Sequence, residues 1–367
     1  MDGGSADDAG AIICRRLQRL DGYSENFIAS VPAIAEFSGV DATRFREEIR
    51  SRYAPAVMRG LVRDWPATAA AARSIEDCRD YLLQFDRGAQ AEAFVGRPGI
   101  RGRFFYAPDM RGFNFERRSG RLKDIVRDLV ALVNDENPPA VYVGASPVAD
   151  CLPGFSDANP MDLAGPGAVP RIWIGNRTEV SAHFDLSDNI ACVVTGLRRF
   201  TVFPPGQLAN LYVGPLDHTM AGQAASMVSM HAPDFERYPR FREALAAAQT
   251  AELEPGDAIY VPALWWHHVD ALSPFNVLVN YWWEDAPSHV GSPFECLAHA
   301  IWTISNLPPE RRAAWNSLFD HYVFRTSSDP VEHLAAEHRG ILGTPSAGLS
   351  QRIRQFLLRG LTRGGAN

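Results

Sequence analysis

The sequence predicts a mainly β fold, a sandwich or barrel of short strands that is followed by a helical region. Between residues 140 and 281, short apolar runs are separated by Gly, Pro, Asn and Asp residues. Many short strands at fairly even spacing, bounded by such turn residues, are typical of a β-sandwich or barrel. After Pro287 the apolar residues change to a helical spacing, which indicates a separate C-terminal region.

Residues 1–125 are predicted to form a mixed helical and strand region that packs on the barrel. The apolar run at 56–61 follows a proline and ends at a turn signal, which indicates a strand. Residues 74–85 carry apolar side chains at helical spacing, and Ser74 is a suitable N-cap. The other elements predicted before residue 135 are strands at 93–95 and 102–106 and a helix at 123–134.

The barrel is predicted to occupy residues 126–285. Its apolar runs predict strands at residues 140–144, 171–174, 182–186, 189–195, 199–203, 258–261 and 276–281. One helix, predicted at 241–250, interrupts them.

Residues 286–367 are predicted to form a helical C-terminal region. The expected helices cover 293–305, 308–324 and 330–339, and the tail at 349–361 is a basic amphipathic segment. These predicted helices open with a proline, which is favoured in the first turn of a helix.

The amino-acid composition indicates a globular protein for which nucleic acid is an unfavoured partner. The chain has 367 residues, of which 46% are hydrophobic and 22% charged, so it can bury a sizeable core. Its formal net charge of -7 makes nucleic acid an unfavoured partner, because phosphate binding requires a basic face.

Cellular location is inferred from the N-terminus and the cysteines. The first ten residues are acidic and polar, so we expect a disordered tail rather than a signal peptide. No apolar run approaches the roughly 20 residues of a membrane span. The five cysteines form no close pair, which favours free thiols in a reducing compartment. A cytoplasmic protein without membrane contact is therefore predicted.

A pair of potential metal ligands lies in the run at 182–186. Alternate residues of a strand face the same side, so His183 and Asp185 would project together. An imidazole and a carboxylate on one face supply two ligands of the 2-His-1-carboxylate triad, which leaves positions open on Fe(II). Such a pair is common by chance, and alone it is equally well explained as a surface pair.

A third ligand can come from the segment after the strand at 258–261. Gly256 and Asp257 form a turn before that strand, which leads into the adjacent residues His267 and His268. Adjacent residues in an extended chain point in opposite directions, so only one of the two histidines is expected to bind the metal. The other histidines, including His218 and His231, have no ligand spacing and are expected to be structural or exposed.

With these motifs the chain resembles a known family, the Jumonji-C or cupin-8 oxygenases, and in particular the asparaginyl hydroxylases of that family. The resemblance covers most of residues 53–285, and the matching motifs keep their order and approximate spacing. Those motifs are Val57–Gly60, Asp64–Pro66, His183–Asp185, Asn189, Gly196, Phe203–Pro205, Leu211–Tyr212, Phe235–Pro239, Pro255–Asp257, Tyr260–Pro262, Trp265–His268 and Asn280–Trp282.

The resemblance implies a double-stranded β-helix (the cupin or jelly-roll barrel) that holds Fe(II) with 2-oxoglutarate as co-substrate. The first histidine of the Trp265–His268 run is the family's ligand, so the implied triad is His183, Asp185 and His267. Tyr142, Asn189 and Asn280 match residues that line the family's co-substrate pocket. Arg198 stands where those hydroxylases have a lysine, and an arginine can bind a carboxylate bidentately.

The resemblance further implies hydroxylation of a protein or peptide side chain, or of a small molecule. The C-terminal helices resemble the helical pair through which those hydroxylases dimerise, so a homodimer is expected. Two alternatives stay open: a cupin-like metal- or ligand-binding protein without turnover, and a cupin metalloenzyme that does not use 2-oxoglutarate.

Overall fold

The computed structural model describes residues 31–363, apart from Pro166 and Ser327. The tail predicted at residues 1–10 and Cys14 lie outside the described residues. The chain divides into two compact units, residues 1–284 and residues 285–367, and each unit is considered by itself below. No helix among the described residues combines the length and the apolar character that crossing a bilayer requires.

The first unit is built on thirteen described strands. In chain order they are β1 (Ala35–Ser38), β2 (Ala56–Arg59), β3 (Gln90–Gly96), β4 (Phe115–Arg121), β5 (Ala140–Pro147), β6 (Val169–Gly175), β7 (Thr178–Phe184), β8 (Asp188–Thr195), β9 (Arg198–Phe203), β10 (Gln249–Leu253), β11 (Ala258–Val261), β12 (Trp266–Ala271) and β13 (Asn276–Trp283).

These strands form two sheets. The larger sheet has the order β1-β2-β11-β8-β13-β6-β5-β3-β4, and the smaller sheet has the order β10-β9-β12-β7. All pairings are antiparallel except β1 with β2. Two facing sheets of this kind, with flanking helices, are a cupin jelly roll, and the predicted fold class is confirmed.

The inner faces of the two sheets enclose an apolar core. Its side chains come from both sheets and include Val57, Ala191, Val193, Phe200, Val202, Ile259, Val261, Val269 and Leu278. Residues on these strands alternate between this core and the outer faces. Any polar residue on an inner face is therefore held inside the sandwich.

Helices of the first unit pack on the outer faces of the sheets, and all but the last of them precede the segment that covers the smaller sheet. In chain order the α-helices of the first unit are α1 (Ala42–Arg44), α2 (Pro66–Arg73), α3 (Ile75–Leu83), α4 (Leu122–Ala131), α5 (Val148–Cys151), α6 (Phe155–Ala158) and α7 (Phe241–Ala246). Trp65, at the N-cap of α2, packs edge-on against Phe155 and Tyr281 at centroid distances of 6.5 and 6.4 Å. Ser74 caps α3 by accepting a hydrogen bond from the backbone N–H of Asp77, as predicted.

The segment between β9 and β10 covers the outer face of the smaller sheet. Its side chains Leu211, Phe241 and Leu245 pack with Phe203 and Trp266 of the sheet. This covering segment, residues 211–248, also pairs with β7, because Ala225 forms a β-bridge with His183.

The second unit is helical. It contains α8 (Pro293–Ile304), α9 (Pro309–Phe319) and α10 (Ala347–Arg363), and a π-helical turn, Asp320–Phe324, continues α9. Neither α8 nor α9 has a buried residue.

Three sequence predictions are corrected. Residues 102–106 are not a strand, since Arg101 and Gly102 adopt positive φ and only isolated bridges follow. The helix predicted at 241–250 ends at Ala246, because the chain then pairs with β9 as β10. Residues 330–339 form turns and a 3-10 segment, since a run below roughly 12 residues needs packing to stay helical.

Candidate metal centre

Three predicted ligands meet on the inner face of the smaller sheet. His183 on β7 is the register partner of His267 on β12, and their ring centroids lie 4.3 Å apart. Asp185 follows β7 directly, and its Oδ2 lies 3.6 Å from Nε2 of His267. One ligand atom from each residue lies within 4.8 Å of the others, so one metal ion can be bound by all three.

Hydrogen bonds to the backbone fix both imidazole rings. Nδ1 of His183 lies 3.0 Å from the carbonyl oxygen of Ser181, and Nδ1 of His267 lies 3.1 Å from that of Trp265. A carbonyl only accepts, so each Nδ1 carries the proton and each Nε2 keeps a lone pair. Ligating histidines usually donate their second nitrogen in this way, and the donor set therefore fits a bound metal.

The environment also keeps one ligand neutral. Burial and the neighbouring charge of His183 lower the pKa of His267 to about 4, although the carboxylate of Asp185 acts in the opposite direction. Near neutral pH the lone pair on Nε2 of His267 is therefore available without removal of a proton.

Arg198 begins β9 and faces the same interior. Arg198 lies on the same face of β9 as Phe200 and Val202, which belong to the inner core, and only 2% of Arg198 is exposed. Among the described residues, Arg198 has no carboxylate partner, and its Nε has no hydrogen-bond partner. An arginine stays protonated in proteins, so a buried positive charge stands here without its counter-ion.

Tyr142 on β5 lies in electrostatic reach of both Arg198 and the metal ligands. Burial and the charge of Asp185 raise the pKa of Tyr142, while the charge of Arg198 lowers it. The phenol is therefore protonated near neutral pH and can donate a hydrogen bond.

The two predicted asparagines also face inward. Asn189 on β8 is 6% exposed, and its Oδ1 is buried without a hydrogen-bond partner. Asn280 on β13 is 2% exposed, and its Oδ1 accepts a hydrogen bond of 2.8 Å from Nε1 of Trp173. All seven predicted site residues thus lie on inner faces of the sandwich or at its rim.

Sequence reasoning missed the roles of Trp173 and Ser226 near the candidate site. Trp173 on β6 stacks on Tyr142 at 5.6 Å and holds Asn280, so it positions two residues of the pocket. Ser226 donates its backbone N–H to the carbonyl oxygen of Ala182 next to His183. A tryptophan in a strand is usually core, and no sequence signal distinguishes this one.

The fold and the site define a class, a jelly-roll protein with a 2-His-1-carboxylate group of potential metal ligands at the inner face of one sheet. A model of the cupin-like domain family matches residues 42–289, and the chain belongs to this Jumonji-C-like family, as predicted.

Several curated proteins are similar to the chain. "Lysine-specific demethylase JMJ31" of Arabidopsis thaliana is 25% identical over 71% of this chain and 52% of its own length. "HSPB1-associated protein 1" of Homo sapiens is 30% identical over 44% of this chain and 34% of its own length. "tRNA wybutosine-synthesizing protein 5" of Mus musculus is 30% identical over 35% of this chain and 43% of its own length. The chain thus spans about half or less of the length of these relatives.

Proposed function

We propose that this protein is an Fe(II)- and 2-oxoglutarate-dependent oxygenase that hydroxylates a protein or peptide side chain, or a small molecule. The Jumonji-C-like family typically uses this metal and co-substrate. His183, Asp185 and His267 would hold the iron, and their number leaves coordination positions open for other ligands.

The observation that carries the proposal is the buried charge of Arg198. A guanidinium that is 2% exposed and lacks a carboxylate partner among the described residues requires an anion from outside the chain. The far carboxylate of 2-oxoglutarate supplies one, and the planar guanidinium can bind it with two parallel hydrogen bonds. Tyr142 can donate a third hydrogen bond to the same group.

Iron and 2-oxoglutarate held by these residues would supply the chemistry: one oxygen atom of O₂ would be used to convert 2-oxoglutarate to succinate and CO₂, and the other would be inserted into a substrate C–H bond. The residues of this chain would bind the iron and the co-substrate and would hold them in a fixed orientation. The protons on Nδ1 of His183 and His267 fix the ring planes, and Trp173 holds Asn280 and the ring of Tyr142 in place. The apolar core around them excludes bulk water.

The relatives and the net charge of the chain guide the choice of substrates to test. The names of the relatives include a lysine demethylase and a tRNA wybutosine-synthesizing protein, so a substrate panel should contain methylated and unmethylated peptides, small metabolites and RNA. The net charge of -7 makes RNA the least favoured of these.

The first experiment adds Fe(II) and 2-oxoglutarate without oxygen to metal-free protein and records the visible spectrum. A weak band that requires both additions, and that is lost in His183→Ala, supports the proposal. His218→Gln is the matched control, because this histidine belongs to neither group of potential ligands and should keep the band. Stoichiometric iron without a band would mean that the pocket rejects 2-oxoglutarate, and a cupin-like binding protein without oxygenase turnover would replace the proposal.

We also propose a homodimer formed through the second unit. Large apolar side chains on its helices are exposed in the single chain, and α8 and α9 bury no residue. They include Leu297, Ile301, Trp302, Trp315, Leu318, Tyr322, Val323 and Phe324. Monomeric proteins rarely expose so many large apolar side chains together, and a second copy of the chain would cover them.

A further inference from the structure

A second group of potential metal ligands lies on the other face of the smaller sheet. Glu179 on β7, His268 on β12 and His231 of the covering segment each have one ligand atom within 4.8 Å of the others. Asp270 is not part of this group, but its Oδ1 lies 2.8 Å from Nε2 of His231 and 3.1 Å from Nε2 of His268. Two imidazoles and one carboxylate therefore converge at one place, with a second carboxylate beside them.

A β-bulge creates this group. His183 pairs with His267, but Val180 pairs with Val269, so Ser181 and Ala182 together oppose the single residue His268. The extra residue reverses the alternation of β7 before His183, as bulges do. Glu179 therefore faces outward with His268 and Asp270, although it has the same sequence parity as the inward-facing His183.

The charges of the group do not balance within hydrogen-bond reach. Glu179 and Asp270 are only 8% and 3% exposed, and each has one carboxylate oxygen without a hydrogen-bond partner. Arg103 approaches Glu179 at 3.5 Å, beyond hydrogen-bond geometry, and the guanidinium of Arg199 is bound to Glu252 at 2.5 Å. Two buried carboxylates require a further cation, which is either a proton on an imidazole or a metal ion.

The distances fit a small tetrahedral metal site. Zinc is bound at about 2.0–2.2 Å by histidine nitrogen and carboxylate oxygen, so neighbouring ligand atoms are separated by roughly 3.3 Å. Within the group, Nε2 of His231 lies 3.9 Å from Oε2 of Glu179, and all three ligand atoms lie within 4.8 Å of one another. A shift of the side chains by less than their own bond lengths would bring these atoms to the zinc value. The imidazole of His231 is about a third exposed, which leaves a route for a metal ion to enter.

We propose that Glu179, His231 and His268, beside Asp270, bind a zinc ion at a site separate from the iron centre. Three protein ligands with one further position suit tetrahedral zinc. The site joins β7, β12 and the covering segment at a bulge that begins next to the iron ligands His183 and His267. This proposal does not depend on the oxygenase activity, because the ligand sets share no residue.

The test is a cobalt titration of chelator-stripped protein, with bound metal measured after desalting and the visible spectrum recorded. Tetrahedral Co²⁺ absorbs visible light far more strongly than six-coordinate Co²⁺, and a 2-His-1-carboxylate triad leaves positions open for six-coordination. We expect two ions per chain in the wild type. His183→Ala, which disables the iron centre, should keep one ion with the strong tetrahedral spectrum. His231→Gln should lose that spectrum and keep the weaker signal of the iron centre.

Two comparisons make the test decisive. Gln at position 231 can still donate to Asp270, so circular dichroism should show a folded variant, and Glu179→Gln serves as a second variant. His218→Gln, a half-buried histidine outside both groups, should bind like the wild type. If His183→Ala binds no cobalt, the group is held together by a shared proton and the proposal is wrong, whether or not the iron centre works.

Discussion

His183 and His267 stand directly opposite each other in the β7–β12 ladder, with ring centroids 4.3 Å apart, although they are distant in the sequence. The antiparallel register brings them together, and the turn after β7 adds Asp185 at 3.6 Å. The ladder also places His268 opposite the bulge and turns it to the other face of the sheet. Two adjacent histidines thus belong to two different groups of ligands.

This division predicts opposite results for two neighbouring substitutions. His267→Ala should weaken Fe(II) binding by more than the roughly 10–100-fold that loss of an outer hydrogen-bond partner costs, because an iron ligand is removed. His268→Ala, at a position that is just as buried, should leave stoichiometric iron binding intact. Anaerobic Fe(II) titration against a chelator measures both. Loss of iron only in His268→Ala would reverse the ligand assignment.

Arg198 and its neighbour Arg199 provide a second matched pair. Arg198→Met should raise the dissociation constant of 2-oxoglutarate by roughly 10- to 100-fold, because hydrogen bonds between charged groups contribute about 1.5–3 kcal/mol. Arg199→Met removes a charge of the same type from the outer face of the same strand, where it binds Glu252, and should leave that constant unchanged. Calorimetry with the iron-loaded protein under anaerobic conditions measures both.

Substitutions at Arg198 also distinguish a role in binding 2-oxoglutarate from a role in folding. Arg198 has no ion-pair partner among the described residues, so Arg198→Met should not lower the melting temperature of the metal-free protein. Arg198→Lys should recover part of the affinity, since it restores the charge but not the bidentate geometry. Equal 2-oxoglutarate binding by wild type and Arg198→Met would show that the anchor lies elsewhere.

Gly196, in the turn between β8 and β9, predicts a change in stability. Its φ is +82°, and an added Cβ would lie 2.8 Å from the carbonyl oxygen of Phe275 and would also collide with Asn276. Gly196→Ala should therefore lower the free energy of unfolding by about 1–3 kcal/mol. Gly206→Ala is the control, because nothing lies within 4 Å of a Cβ added at Gly206, and the φ of Gly206 is not in the left-handed region. Denaturant unfolding compares the two, and equal losses would contradict the strain argument.

Strand alternation predicted that the adjacent residues His267 and His268 point in opposite directions, and the pairing of β12 agrees with this prediction. In the structure, the same alternation separates Arg198 from Arg199, which lie opposite Ala271 and Asp270 on different faces of β12. The Pro255–Asp257 turn is likewise explained by its contacts: Asp257 accepts hydrogen bonds from the backbone N–H of Gly60 and from Arg59, which joins this turn to β2. Local chemistry of this kind can be inferred from residue types.

Features that depend on tertiary pairing could not be inferred. The bulge at Ser181 and Ala182 has no glycine to mark it, so nothing in the sequence indicates that Glu179 and His183 face opposite sides of the sheet. Strand β4 is rich in arginine and exposed, as edge strands often are, and lacks the apolar alternation that predicts a strand. No potential metal ligand lies close to His231 in the sequence, because the residues grouped with it come from β7 and β12.

The second unit gives the last prediction, which concerns assembly. Trp302 on α8 is 64% exposed, and central aromatic residues of an interface often contribute 2 kcal/mol or more. Trp302→Glu should therefore weaken a homodimer by roughly 30-fold, since it removes apolar area and places a charge in the contact. Leu208→Glu is the control, because Leu208 is 52% exposed but belongs to the first unit. Size-exclusion chromatography with light scattering, at a series of micromolar concentrations, should find dimers for the wild type and Leu208→Glu and monomers for Trp302→Glu. A wild type that stays monomeric throughout this range would remove the proposed dimer, and a dimer that is weakened only by Leu208→Glu would move the interface to the first unit.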